Sequence, residues 1–252
     1  MKLTSAEVAE FFERGYLLMP DVFSEAELEP LREAFARVYA EAEQLGGETG
    51  LHRGARYVFE GPNLHRVVWA GAVEPALLAA SEDPRLLVPA AQLLGSRQVV
   101  QLLNQCHFKQ PGDGVAFAWH QDSQNRHFGT PDWTDVNGRG SFVQAILAVD
   151  DAPANSGPLE VFPGSCARGH LGLSWDDVLP EGLGEPVPLT VRAGSVIVFG
   201  PYTIHGSQPN RSSRPRRVLI NGYASPGANR FVYPGCGTGR PLTAPVAPED
   251  LP

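Results

Sequence analysis

The chain has few cysteines, no long apolar run and fewer basic than acidic residues. Cys106, Cys166 and Cys236 are odd in number and far apart, which argues against a disulfide framework or a zinc knuckle and favours a reducing compartment. No apolar stretch approaches the length that crosses a bilayer. The start of the chain carries no signal-peptide pattern, so we expect a cytoplasmic protein. The net charge of −8 argues against nucleic acid or an anionic membrane as the main partner.

The 252 residues fit a single large domain with a helical first part and a β-rich second part. Over about residues 1–97, apolar residues recur at helical spacing after capping boxes at Thr4 and Ser24. The glycine-rich segment 46–64 within it is predicted to be a loop or a weak hairpin. Over about residues 98–228, short strands alternate with Gly/Pro turns, which predicts a sandwich or barrel. We expect the proline-rich tail from Pro234 to be loosely ordered or draped over the domain.

His120 and Asp122 form the most informative short motif of the chain. Their i, i+2 spacing would place both side chains on one face of a β-strand. The pair alone is a weak signal, but His205, which follows a strand and a turn 85 residues after His120, offers a third ligand. Two histidines and one carboxylate leave the opposite coordination positions open, which suits iron(II) with a co-substrate and O2.

A polar strand face and several loops are candidates for the remaining walls of such a site. In the strand predicted over 99–109, one face carries Gln101, Gln105 and His107, and it meets either solvent or, as we favour, a polar cavity beside His120. Loop arginines, Arg126 among them, could meet an anionic substrate or could equally be solvated surface charge. The substrate-side candidates are Arg53, Arg56, Gln101, Trp133, Arg139 and Gln144.

Several further motifs occur together between about residue 3 and residue 228. They lie at residues 11–16, 119–122, 155–159, 162–165, 193–195 and 205–207. Each motif alone is weak, but in this combination the chain resembles the phytanoyl-CoA dioxygenase family of iron(II)/2-oxoglutarate oxygenases. The resemblance implies a mainly β fold with flanking helices, in which a double-stranded β-helix, or jelly roll, forms the core.

The resemblance also implies a set of cofactors and a role for individual residues. Fe(II), 2-oxoglutarate and O2 would act together, with His120, Asp122 and His205 as the metal ligands. Arg216, eleven residues after His205, would bind the distal carboxylate of 2-oxoglutarate, a task that suits a planar and permanently charged guanidinium. Further contacts to the co-substrate would come from Ser207, Phe117, Gln105 and His107.

The chain departs from the family pattern in one strand. Many members carry a tryptophan before the Asp-Asp turn, where this chain has Ile146, with Phe142 and Gln144 on the same face. Asp122 is present, whereas related halogenases lack this carboxylate. Hydroxylation, or another oxidation such as desaturation, epimerisation or ring closure, is therefore the expected outcome.

Three functions compete at this point. The first is an iron(II)/2-oxoglutarate oxygenase acting on a small-molecule metabolite, as in natural-product tailoring. The second is a zinc-dependent hydrolase with the same ligands, against which Arg216 argues because a hydrolase has no evident need of a carboxylate clamp. The third is an inactive metal-binding jelly roll, against which the presence of all three ligands argues. The sequence leaves the substrate, the oxidative outcome and the oligomeric state open.

Overall fold

A computed structural model describes residues 1–175 and 177–251 of the protein. These residues form five α-helices, namely α1 (Ser5–Arg14), α2 (Glu25–Gln44), α3 (Pro75–Ala80), α4 (Pro84–Leu94) and α5 (Asp122–Asn125). They also form thirteen strands, namely β1 (Tyr16–Met19), β2 (Gly50–His52), β3 (Ala55–Glu60), β4 (Asn63–Val68), β5 (Gln98–Lys109), β6 (Phe117–His120), β7 (Phe142–Ala148), β8 (Leu159–Val161), β9 (Val187–Leu189), β10 (Val196–Phe199), β11 (His205–Ser207), β12 (Arg216–Ala224) and β13 (Arg240–Thr243). In these two ranges, every helix is too short or too polar to cross a membrane.

The first two helices begin at the capping boxes that the sequence predicts. The Thr4 hydroxyl accepts from the backbone N–H of Glu7, whose carboxylate accepts from the backbone N–H of Thr4, and Ser24 opens α2 in the same way. Gly15 ends α1 with a φ of 87°, a left-handed conformation that favours glycine. Pro30 lies inside α2, which continues through it as one helix over Glu25–Gln44.

Two antiparallel sheets form the β part of the molecule. The larger sheet has the strand order β1-β10-β7-β12-β5-β4-β3-β2, with β13 also paired to β5, and the smaller sheet has the order β6-β11-β8-β9. Ile146 and Ile220 of the larger sheet share one apolar cluster with Val161 and Leu189 of the smaller sheet, so the two sheets face each other. The mainly β jelly-roll fold with flanking helices is confirmed.

The larger sheet separates the helical layer from the interior between the sheets. Along β12, Leu219 packs into the cluster that contains Leu28 and Phe35 of α2, whereas Val218 and Ile220 point towards the smaller sheet. This follows from the alternation of side chains along a strand. The helices therefore cover one face of the sheet, and the other face is available to line a cavity.

Two segments are more regular than the sequence indicates. The glycine-rich segment 46–64 contributes β2, β3 and the start of β4, which extend the larger sheet through pairing of β4 with β5. In the tail, β13 pairs with the first residues of β5, and Ala244 and Val246 are buried behind it. The tail is thus attached to the domain by backbone pairing and by apolar burial.

Candidate metal and co-substrate site

A cavity of about 260 Å³ lies between the two sheets and collects most of the candidate residues. The predicted site residues that line it are His120, Asp122, His205, Phe117, Gln105, His107, Ser207, Arg216, Arg56 and Gln144. They come from both sheets and from the loop after β6. The site therefore depends on how the two sheets face each other, and no single segment builds it.

The three candidate metal ligands meet on the smaller sheet. His120 ends β6 and His205 begins β11, and the two residues are direct partners in the antiparallel register. Asp122 opens α5, the helical turn that follows, so the prediction that His120 and Asp122 share one strand face is wrong. The chain turns at Gln121, whose side-chain amide donates to the Tyr202 carbonyl at 2.7 Å. This turn brings the Asp122 carboxylate back beside the His120 imidazole.

The ligand atoms of the three residues converge on one point. Nε2 of His120 and Nε2 of His205 each lie 3.8 Å from an oxygen of the Asp122 carboxylate. One ligand atom from each residue lies within 4.8 Å of the other two. Nδ1 of His120 donates to the Ala118 carbonyl at 2.8 Å, and Nδ1 of His205 donates to the Thr203 carbonyl at 2.9 Å. These bonds hold both rings in the tautomer whose Nε2 lone pair is free for a metal.

The electrostatics of the three residues fit a divalent metal. All three are buried, and Oδ2 of Asp122 has no hydrogen-bond partner among the described residues. Burial, helped by His205, lowers the pKa of His120 to about 4, so its imidazole is neutral at pH 7. An unpartnered buried carboxylate is costly, and a cation between the three residues would remove that cost. Two imidazoles and one carboxylate are a donor set that iron(II) accepts.

Arg216 and Lys109 place two basic side chains next to each other on the paired strands β12 and β5. Arg216 is buried and donates to the Gly157 carbonyl at 2.6 Å, while its Nε has no partner among the described residues. Nζ of Lys109 donates to the Ser207 hydroxyl at 2.6 Å and to the Gly157 carbonyl at 3.2 Å. All of these acceptors are uncharged. The arrangement therefore fits a carboxylate supplied by a ligand, such as 2-oxoglutarate.

Lys109 is a residue to which the sequence analysis gave no role. It lies on the polar face of β5, two residues after His107, and its side chain is fully buried. Burial, and secondarily the charge of Arg216, lower its pKa to about 6. The alternation of Gln105, His107 and Lys109 along the strand was the available signal. The role of Lys109 depends on its pairing with Arg216 in the register between β5 and β12, and the sequence does not show that register.

Phe117 is held in a stack of aromatic rings at the cavity wall. Its ring stacks on the imidazole of His65 and on that of His107, with centroid distances of 4.1 Å and 4.8 Å. Nε2 of His107 donates to Oε1 of Gln105 at 2.8 Å. Burial lowers the pKa of His65 to about 4 and places that of His107 well below its usual value, so both rings are neutral at pH 7. Gln105, His107 and Phe117 thus form one wall of the cavity.

Trp175 is an aromatic residue that the sequence analysis missed. Its ring stacks on His120, with the centroids 4.4 Å apart and the planes 9° apart. It lies in the irregular segment between β8 and β9, where no periodic pattern marks any residue. Ile146 of β7 lines the same cavity and adds no ring. A loop thus supplies the aromatic ring that stacks on His120, while Phe199 of β10 lies 4.6 Å from the ring of His205.

The structure places four of the substrate-side candidates away from the cavity. A β-bulge at Leu102 reverses the alternation of β5, so Gln101 turns away and accepts from Arg240 of β13 at 2.7 Å. Trp133 donates to the Gly140 carbonyl at 3.2 Å and is buried against Phe128. Two arginines complete the set: the largely exposed Arg53, which pairs with Glu41, and Arg139, which lies over the ring of Phe12.

Two characterised relatives have similar sequences. The chain is 29% identical over 248 residues to an ectoine dioxygenase of Bordetella parapertussis, and this alignment covers 88% of the chain and 75% of the relative. It is 30% identical over 165 residues to an L-proline trans-4-hydroxylase of Streptomyces griseoviridis, and this alignment covers 56% of the chain and 59% of the relative.

Solved structures of 2-oxoglutarate-dependent enzymes share the fold. The carbocyclase SnoK from nogalamycin biosynthesis has a TM-score of 0.68 at 22% identity, covering 92% of this chain and 87% of SnoK. EctD from S. alaskensis, solved with 2-oxoglutarate and 5-hydroxyectoine, has a TM-score of 0.70 at 23% identity, covering 92% of this chain and 79% of EctD. The family model for phytanoyl-CoA dioxygenase (PhyH) matches residues 11–218. The chain thus belongs to the phytanoyl-CoA dioxygenase family, and it is an iron(II)/2-oxoglutarate-dependent dioxygenase.

Proposed function

We propose that this enzyme oxidises a small-molecule substrate, most simply by hydroxylation, with His120, Asp122 and His205 as the iron ligands and Arg216 as the anchor of 2-oxoglutarate. One observation carries the assignment. A single cavity is lined both by a buried carboxylate and by a buried guanidinium, each with a polar atom that has no partner among the described residues. A divalent metal would satisfy Oδ2 of Asp122, and a carboxylate would satisfy Nε of Arg216.

The residues around Asp122 and Arg216 position the co-substrate and shield the site from water. When bound, iron and 2-oxoglutarate would supply the oxidising chemistry, in which 2-oxoglutarate, O2 and the substrate give succinate, CO2 and the oxidised substrate. Arg216 holds the distal carboxylate of the co-substrate. Ser207, whose oxygen accepts from Lys109, keeps its own proton available for the same carboxylate. Phe117 and Trp175 cover the metal ligands with apolar surface and so limit access of water.

The size and position of the cavity support a small-molecule substrate. Its volume of about 260 Å³ has to hold the metal, 2-oxoglutarate and the reacting part of the substrate, so it suits a small metabolite or one end of a larger molecule. The relatives with similar sequences are named for ectoine and L-proline, and SnoK for nogalamycin biosynthesis, so a metabolite or a natural-product intermediate is the proposed class. The free thiols of Cys106, Cys166 and Cys236 support a cytoplasmic location.

The test of this function is succinate formation from 2-oxoglutarate under air with added iron(II). Wild-type protein should form succinate slowly even without its substrate. His205→Ala and Arg216→Ala should abolish this signal because they remove a metal ligand and the carboxylate anchor. Arg214→Ala is the matched control, since Arg214 is exposed and lies only two residues from Arg216. It should behave like the wild type.

The alternatives predict different results. A zinc-dependent hydrolase would bind zinc tightly, would not bind 2-oxoglutarate and would form no succinate. A metal site that is empty, or that binds metal without any succinate formation or hydrolysis, would instead indicate an inactive jelly-roll module. Equal succinate formation by the wild type and Arg216→Ala would leave the reaction class intact and remove Arg216 from the proposed role.

A further inference from the structure

The cavity carries more positive charge than the proposed iron and co-substrate sites use. Four arginines line it, namely Arg56, Arg66, Arg126 and Arg216, and Asp122 is the one acidic residue among its described lining. Arg216 is assigned to 2-oxoglutarate, and the charge of Asp122 is assigned to the metal. The remaining three arginines have no assigned counter-charge in the cavity. A polar site with this imbalance attracts an anion.

Arg126 is the arginine whose surroundings are most specific. It follows α5, and its backbone N–H donates to the carbonyl of Asp122 at 3.0 Å, so it lies one turn from a metal ligand. Its guanidinium carbon lies 4.4 Å from the ring centroid of Tyr233 and 5.7 Å from that of Phe142. Its Nη1 is buried and has no hydrogen-bond partner in residues 1–175 and 177–251. Stacking orients this guanidinium, and its hydrogen-bonding capacity is left unused.

Tyr233 adds a second unused donor beside the first. Its hydroxyl is also buried and has no partner within the described part of the chain. Tyr233 and Pro234 of the tail line the same cavity as Arg126. Backbone pairing between Trp133 and Asn229 holds the segment that leads to Tyr233 against the loop after α5, and Tyr233 itself pairs with Gly237. A buried tyrosine hydroxyl usually has a hydrogen-bond partner, so a ligand is a natural acceptor here.

We propose that Arg126 and Tyr233 form a subsite for an anionic group, a carboxylate or a phosphonate, of the primary substrate. The inference rests on the proposed function, because it uses the same cavity and the same metal ligands. A guanidinium and a phenol together can grip two oxygens of one anionic group. Because Arg126 lies one helical turn from Asp122, an anion bound there would hold the rest of the substrate close to the metal ligands.

The test compares anions with matched neutral derivatives as probes. Protein loaded with Mn(II), which replaces iron and avoids turnover, and with 2-oxoglutarate is melted in the presence of each probe. The pairs are N-acetyl-L-proline and N-acetyl-L-prolinamide, benzoate and benzamide, and phenylphosphonate and dimethyl phenylphosphonate. At least one anion should raise the melting temperature more than its neutral partner does. The carboxylate and phosphonate pairs show which anion the subsite prefers.

Three variants locate the effect. Arg126→Gln should raise the Kd of the preferred anion at least about tenfold. Tyr233→Phe should raise it less, because a charged hydrogen-bond donor contributes more to binding than a neutral one. Arg126→Lys keeps the charge and should retain part of the preference, which guards against a general effect of changing this side chain. Arg192→Gln is the control, since Arg192 is 77% exposed and pairs with Asp21 at the surface.

The outcomes separate the inference from the function on which it rests. Protein that is not stabilised by Mn(II) and 2-oxoglutarate would overturn the proposed function itself. Protein that binds both but prefers none of the anions over its neutral partner would overturn only the anionic subsite. An anion preference that survives unchanged in Arg126→Gln would also overturn it, because the charge responsible would then lie elsewhere in the cavity.

Discussion

At the scale of the residue, buried polar atoms without partners mark the two ligand sites. Oδ2 of Asp122 and Nε of Arg216 have no partner among the described residues, although their neighbours are bonded: Nδ1 of His120 and of His205 each donates to a carbonyl, and Nη2 of Arg216 donates to the Gly157 carbonyl. Leaving such atoms unpaired costs free energy in the empty protein. Ligands that supply the missing partners recover that free energy as affinity.

Replacing Arg216 tests the proposed anchor directly. In Arg216→Gln, the Kd for 2-oxoglutarate should rise at least about 30-fold, because removing one partner of a buried charged pair costs about 2 kcal/mol or more. Isothermal titration calorimetry of protein loaded with Mn(II) measures this change. Arg214→Gln, which removes an exposed arginine nearby, should leave the Kd within about twofold. An unchanged Kd in Arg216→Gln would place the anchor on another cation.

Lys109 should make the stability of the empty protein depend on pH. Its pKa is about 6 in the folded chain, lowered by burial and by Arg216, while Asp113 and Glu160 act in the opposite direction. An unfolded lysine has a pKa near 10.4, so between pH 7 and 9 the unfolded chain holds about one proton more at this residue. The free energy of unfolding should therefore rise with pH in this window, by about 1.4 kcal/mol per pH unit from Lys109.

Lys109→Met provides the comparison for this slope. The variant should show the pH dependence of the wild type minus the Lys109 contribution, when urea unfolding is followed at several pH values in the presence of a chelator. Methionine fills a similar volume, so packing changes little. Identical slopes in the two proteins would show that Lys109 keeps its proton in the folded state.

At the scale of the element, sequence spacing predicted the ligands better than it predicted their geometry. The residue types of His120, Asp122 and His205, together with the resemblance to the family, predicted a common site for these three residues, and the structure places them together. Strand alternation then gave the wrong arrangement for the first two, because β6 ends at His120 and Asp122 belongs to α5. The Gln121 turn that joins them depends on the Tyr202 carbonyl, 81 residues away, and local sequence does not report such a partner.

Other site residues were out of reach of the sequence for related reasons. Tyr233 and Trp175 lie in segments without periodicity, and their places in the cavity come from tertiary contacts. Gln101 was placed in the cavity by alternation, and a bulge at Leu102 turned it out. The sequence therefore predicted the strands and the chemistry, while bulges, turns and long loops decided which neighbouring residues reach the cavity.

Gly157, in the turn before β8, should be required for the carboxylate anchor. Its φ is 66°, and an added Cβ would lie 2.0 Å from the Gln208 carbonyl oxygen and 3.0 Å from Nζ of Lys109. Gly157→Ala should therefore displace the carbonyl to which both Arg216 and Lys109 donate. We expect a loss of stability of more than about 2 kcal/mol and weaker binding of 2-oxoglutarate.

Gly227→Ala is the matched control for backbone conformation. Gly227 has a φ of 81°, and nothing lies within 4 Å of an added Cβ. Gly227→Ala should lower the free energy of unfolding by only about 1–2 kcal/mol, because alanine disfavours the left-handed conformation. Binding of 2-oxoglutarate should be unchanged. Urea unfolding and calorimetry on both variants separate the two effects. Equal behaviour of the two alanine variants would contradict the role of the Gly157 carbonyl.

At the scale of the whole molecule, the two proposed ligands connect the two sheets. The proposed metal ligands belong to β6, α5 and β11 on the side of the smaller sheet, whereas Arg216 and Lys109 belong to β12 and β5 of the larger sheet. 2-Oxoglutarate bound to the metal at one end and to Arg216 at the other would connect the smaller sheet to the larger sheet. Binding of the anionic co-substrate should also offset the repulsion among the arginines that the fold brings into one cavity.

Global stability should therefore rise in two ordered steps. Saturating Mn(II) should increase the free energy of unfolding, and 2-oxoglutarate should add a further increase once the metal is present, about 2.7 kcal/mol at a concentration one hundred times its Kd. Urea unfolding followed by tryptophan fluorescence measures both steps. In His205→Ala the first step should be lost and the second reduced, because the co-substrate then has only the Arg216 end of its site. A full second step without metal would mean that the two ligand sites are independent, and the cavity would then bind 2-oxoglutarate without presenting it to the metal.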